Sequence, residues 1–175
     1  MARMEEEGVI DRVVPGIYIG ANHAKHPLIE LAAWTLRHPA IVGCLLTAAI
    51  HHRLTDAFER GPWLYVPKGT SVIRSRVANL HVIQTAPWLI DPQDDTINDI
   101  QTLQVHGVTV RLTGPDRTTL DLWKYPRLIS AEYALDALRR RAQADNFHLP
   151  ALARLAQRLH VWNKLEPVLQ GLVLR

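Results

Sequence analysis

The side chains in this sequence best placed to do chemistry are its histidines, one cysteine, two aspartates and several arginines. Nine histidines invite a metal reading. His51 and His52 are adjacent, so on a helix they point about 100° apart and share an ion poorly. His23 and His26 have the i,i+3 spacing of one helix face, but no Cys, Asp or Glu stands near them in a metal-ligand pattern. They read as scattered surface or core histidines, and no metal or cofactor is expected. Cys44 lies among apolar neighbours and reads as an inert buried thiol, because a nucleophilic cysteine needs an accessible, electropositive niche. Asp116 and Asp121 diverge on a helix and make no catalytic pair. Asp121 follows Arg117 by four residues, the spacing of a structural salt bridge. Glycine-rich phosphate loops, nucleophile elbows and His-Glu-x-x-His motifs are absent. An enzyme assembled from separated residues such as His106, Arg117 and Asp121 is a minor reading, and no catalytic residue is assigned.

The remaining chemistry is cationic. In Lys68-Gly-Thr-Ser-Val-Ile-Arg-Ser-Arg76, Arg74 and Arg76 are two apart and share one face of a strand. With Lys68 in the preceding turn they make three cations on a β-ribbon, suited to phosphate contacts. An edge strand protected by charge requires the same residues. Arg139, Arg140 and Arg141 cover most of a helix circumference, so one must lie near the apolar side and need an acid, with Asp136 a candidate. Trp88, set between Pro87 and an acidic loop, is the tryptophan expected at the surface. The other indoles should anchor cores and find hydrogen-bond acceptors.

The elements that position these residues begin with a hairpin. Gly8 to Ile19 reads as a turn-centred β-hairpin whose cation is Arg12. A hairpin alone is marginally stable and needs something to lie against. Helices just upstream would complete a winged helix-turn-helix, and only seven residues precede Gly8. Either the hairpin is the remnant wing of such a head, or it packs on elements downstream of Ile19.

Pro27 is a plausible first helical residue, with Leu28, Leu31, Ala32 and Leu36 on one face. His38-Pro39 should end that helix. A second, largely buried helix is expected over Val42–Arg53. Strands come next at 63–66, 79–85, 100–105 and 108–112, the last two joined by the His106-Gly107 turn. After Gly114-Pro115 the pattern becomes helical, over 116–124, 131–144, 148–160 and 164–174, with Pro167 expected to break the last helix early. The expected fold is α+β: a small mixed or antiparallel sheet with flanking helices and a helical C-terminal third. Residues 1–20 form the wing remnant and 21–175 a second domain.

With 47% hydrophobic and 21% charged residues the chain is no disordered tail. No run approaches the roughly 18 apolar residues of a membrane span, and the acidic start is unlike a signal peptide. A lone cysteine suits a reducing cytoplasm. The net charge of +3 is too small to identify a nucleic-acid binder, although its segregation into basic and acidic stretches gives a mild dipolar surface.

Separated tracts carry a family resemblance. They are Cys44-Leu-Leu-Thr-Ala-Ala-Ile-His-His-Arg-Leu-Thr55 and Gly61-Pro-Trp-Leu-Tyr-Val-Pro-Lys-Gly69, then the run from His106 through Gly-Pro-Asp-Arg-Thr-Thr-Leu-Asp-Leu-Trp-Lys to Tyr125. Ala131–Arg139 and Leu152–Gln170 complete the set. In order and spacing they resemble the AbiEi family of type IV antitoxin-like transcriptional regulators, over about residues 8 to 174. The most specific piece is the strand-turn-helix around Arg117, Thr118 and Asp121. The family carries a basic residue before Gly-x-Tyr in its wing; Pro15 stands there here, leaving Arg12 as the wing's charge. The resemblance implies a role in transcription control, in a family that carries an upstream helix-turn-helix; DNA bound weakly without those helices, through the cations read above, Arg12, Lys68, Arg74 and Arg76, is the expected partner. The resemblance also implies action against a nucleotidyltransferase toxin that requires no stable complex. The other reading of the residues is an interaction module that binds no DNA and self-associates, as a homodimer for instance, through the apolar hairpin or the C-terminal basic helices.

Overall fold

The structure, a computed structural model, describes residues 2–24, 26–58, 61–69 and 79–173. A short helix α1 (Ala2–Glu6) leads into the hairpin of β1 (Ile10–Val14) and β2 (Ile17–Gly20). The two strands are antiparallel, with a register shift between Arg12 and Val14. Pro15 and Gly16 make the turn, and Gly16 has a φ of +76°, a conformation that glycine adopts without steric cost. This hairpin is a two-stranded sheet of its own. It is not isolated, because Val14 is buried in one cluster with Leu28, Leu31 and Trp34.

Helix α2 (Ile29–Arg37) stops at His38, as the following proline requires. Leu28, Leu31 and Ala32 are buried, whereas Leu36, expected on the same face, is 60% exposed. The second helix begins later than its apolar pattern suggests. Val42–Gly43 is a strand, β3, and α3 covers Leu45–His51. Two residues give no periodicity to read; what makes them a strand is pairing with two neighbours. Gly43 has no room for a side chain, since a Cβ there would meet Leu112 and Leu31 at 2.6 and 2.7 Å.

Strands β4 (Trp63–Pro67), β5 (His81–Thr85), β6 (Ile100–Val105) and β7 (Val108–Thr113) complete a mixed sheet of order β5-β4-β3-β7-β6. The β3–β4 and β6–β7 pairs are antiparallel; β3–β7 and β4–β5 are parallel. Alternation along β4 divides the core. Leu64 and Val66 join the cluster of α2 and the hairpin. Trp63 and Tyr65 join the opposite one, with Leu46 of α3 and with Leu122 and Ala134 of the C-terminal helices.

Those helices are α4 (Pro115–Lys124), α5 (Ala131–Ala142), α6 (Leu149–Arg158) and α7 (Trp162–Val173). They share a third cluster around Leu120, Leu138, Leu152 and Leu165. Pro167 lies inside α7 without ending it. A proline there removes one backbone donor, and Leu165 and Leu169 on either side remain buried. The fold is therefore α+β, with its helices concentrated in the C-terminal part.

Candidate nucleic-acid interface

The first expected contact, Arg12, is exposed on β1, and its side chain has no hydrogen bond or ion pair among the described residues. The hairpin holds it by burying Val14 on the α2 side. Lys68 is likewise exposed and unpaired, just after β4. Arg74 and Arg76 lie outside the described residues. Because β4 and β5 are parallel neighbours, the chain leaving at Lys68 must rejoin the sheet at its opposite end. It does so at Asn79, packed tightly on Gly61: a Cβ on Gly61 would lie 1.8 Å from the Asn79 carbonyl oxygen. Asn79 and Leu80 line a cavity of about 100 Å³ together with Val13 and Val14. The first described residue beyond Arg76 is thus next to the hairpin strand that carries Arg12.

A further cation reaches the hairpin from α2. A Cβ on Gly16 would stand 2.7 Å from Nη2 of Arg37, and the Arg37 guanidinium carbon lies 6.0 Å from the centre of the Trp34 ring. Nothing in the sequence marks Arg37 as a neighbour of the turn; the relation arises only when α2 docks on the hairpin.

Arg117 and Asp121 do not face solvent. Their side chains are 1% and 0% exposed and pair at 2.9 Å. The Arg117 Nη1 donates to the carbonyls of Leu89 and Asn98, at 3.4 and 3.3 Å, and the guanidinium lies over Tyr65. Burial pushes the Asp121 carboxyl up, and Arg117 offsets this in part. Burial also pushes the Tyr65 phenol and the Cys44 thiol well up, with Asp121 adding to both. The cluster is a polar knot in the core, closed to substrate. Above it, the Asp99 carboxylate accepts from the Arg117 N–H at 2.9 Å. A Cβ on Gly114 would strike that carboxylate at 2.0 Å, so this glycine makes room for Asp99 at the start of α4.

Of the arginine triplet, the buried member is Arg141, and its acid is Asp116 rather than Asp136. Arg140 takes Asp136 and Asp56 instead. Trp88 is 44% exposed, as expected, with Arg158 stacked 4.9 Å from its ring centre. Arg158 also donates to Asn98 at 3.0 Å and lines an open cleft of about 400 Å³ with Arg154, Ile97 and Asp116. The Trp63 and Trp123 indole nitrogens, expected to find acceptors, have none among the described residues.

The histidines are less scattered than their spacing suggests. The turn between β6 and β7 brings His106 within 5.4 Å of His23 and 6.2 Å of His26, ring centre to ring centre. Even so, no three His, Cys, Asp or Glu among the described residues could hold a metal ion. No described helix is long and apolar enough to cross a membrane.

No protein-family model matches this sequence, and no curated protein does. Among solved structures, the chain is similar to the RV2827C protein from Mycobacterium tuberculosis, with a TM-score of 0.56 at 15% identity. The match covers 89% of this chain and 58% of that one, so the chain spans little more than half of its neighbour's length. At that identity the likeness shows the fold alone.

Proposed function

We propose that this chain is a non-enzymatic, cytoplasmic transcription regulator of the AbiEi type. It binds DNA at its own operon and opposes a nucleotidyltransferase toxin without forming a stable complex with it. The sequence tracts around Gly61–Gly69 and His106–Tyr125 support the family reading. The observation that carries the DNA reading is the β1–β2 hairpin: a sheet separate from the main one, braced on α2, with Arg12 exposed and, among the described residues, unpaired. Arg74 and Arg76 join the contact set from the sequence reading alone.

Three or four phosphate contacts give a log-affinity slope against log salt of roughly −3 to −4. Binding of the chain to the promoter DNA of its own operon, measured over a range of salt, should show that slope. Arg12→Gln and Lys68→Gln should each flatten it. Absence of binding, or a slope indifferent to those charges, rejects the DNA reading. For the antitoxin part, co-expression should restore growth to cells making a nucleotidyltransferase toxin of this class, while pull-down retains no complex.

The alternative, a self-associating module that binds no DNA, draws support from Met4, Val9 and Leu36, which are 43%, 51% and 60% exposed. Light scattering separates the two, since a mass that stays monomeric at every concentration contradicts self-association.

A further inference from the structure

The hairpin tip has no cation of its own, because its turn is Pro15 and Gly16. One arrives from another element. Arg37 ends α2, and its side chain is exposed and makes no ion pair among the described residues. Its guanidinium lies against Gly16, where a Cβ would approach Nη2 to 2.7 Å, and leans over the Trp34 ring. Trp34 itself is 3% exposed, so the platform beneath the arginine is fixed. We infer that Arg37 is a phosphate-contacting residue, giving the hairpin tip a cation in addition to Arg12 further along β1, and that the tip so charged meets the backbone of duplex DNA. The inference rests on the DNA reading above and extends it to a residue outside the hairpin.

A guanidinium presents five donors in a planar fork matched to phosphate oxygens. Held against the turn and the ring, it also loses less side-chain freedom on binding than a free arginine would. Gly16 is favoured by its φ of +76°, and the Arg37 guanidinium rests on the open side where a Cβ would stand. A competing explanation is that Arg37 only complements the dipole at the C-terminus of α2. That role affects stability and leaves DNA binding unchanged.

The test is fluorescence polarisation of a labelled, mixed-sequence duplex with the 175-residue chain across a salt series. Arg37→Gln should reduce the magnitude of the slope by about 0.9, one phosphate contact, and weaken binding several-fold at low salt. Arg37→Lys should retain most of the slope. Arg139→Gln on α5, across the sheet from α2, should change nothing. If Arg12→Gln lowers the slope and Arg37→Gln does not, the inference falls and the DNA reading stands. If the wild-type chain shows no salt-dependent binding, both fall.

Discussion

A guanidinium sealed in an apolar core must have its charge answered, and Asp121 answers only part of it. Arg117 Nη2, Asp121 Oδ1 and the Tyr65 hydroxyl are buried without hydrogen-bond partners among the described residues. Each such group carries a desolvation cost. Removing one member of a buried pair strands the other, which typically costs about 3–5 kcal/mol; replacing both with apolar residues is often neutral or stabilising. Arg117→Met alone should therefore lower stability to urea by about that amount. Arg117→Met combined with Asp121→Leu should recover most of the loss. A double variant as unstable as the single one would mean that the polar knot is needed for packing and cannot be exchanged for apolar volume. The i,i+4 spacing made this pair legible in the sequence. The contacts with Leu89, Asn98 and Tyr65 were not, because they join positions far apart in the chain.

Element by element, what could be read from the sequence depended on length and periodicity. The hairpin, β6, β7 and α4 have clear turn residues or long alternation, and their bounds fell near the expected ones. Strand β3 has two residues and no pattern; only its two partners define it. The gathering of His106 with His23 and His26, and of Arg37 with Gly16, depends on docking between elements and leaves no local signal. One such joint ties the end of α3 to the end of β7, where His52 Nε2 lies 2.8 Å from the Thr113 carbonyl oxygen. Burial lowers the His52 pKa from 6.5, with the Thr113 bond opposing and Arg141 reinforcing the shift. His51 is lowered too, first by burial and then by His52 and His26. A base with a depressed folded pKa binds fewer protons folded than unfolded. Its stabilisation is complete above the unfolded value of about 6.5 and is lost as pH falls through the folded one. Urea midpoints measured from neutral to mildly acidic pH should fall below about 6.5, and His52→Gln should reduce that fall. An identical pH profile for the variant would assign the titration elsewhere.

For the whole molecule, the question is whether the hairpin is an appended arm or part of the folding unit. Val14 is 4% exposed and shares a core cluster with α2, β4 and β7, while the hairpin's backbone pairing stops at its own two strands. Among the described residues, the hairpin meets the main core through side chains such as Val14. Full burial of a valine is worth about 1.5–3 kcal/mol. If the hairpin folds with the rest, Val14→Ser should cost an amount in that range while the unfolding transition remains single. An appended arm would leave the main transition in place and show its loss only as local exchange of the hairpin amides. The same variant bears on DNA contact, because a wing braced on α2 presents its cations in a fixed geometry. Val14→Ser should weaken binding without removing any charge, and its salt slope should stay close to that of the wild type. A slope that fell as far as with Arg12→Gln would show instead that undocking takes the cations out of reach of the phosphates.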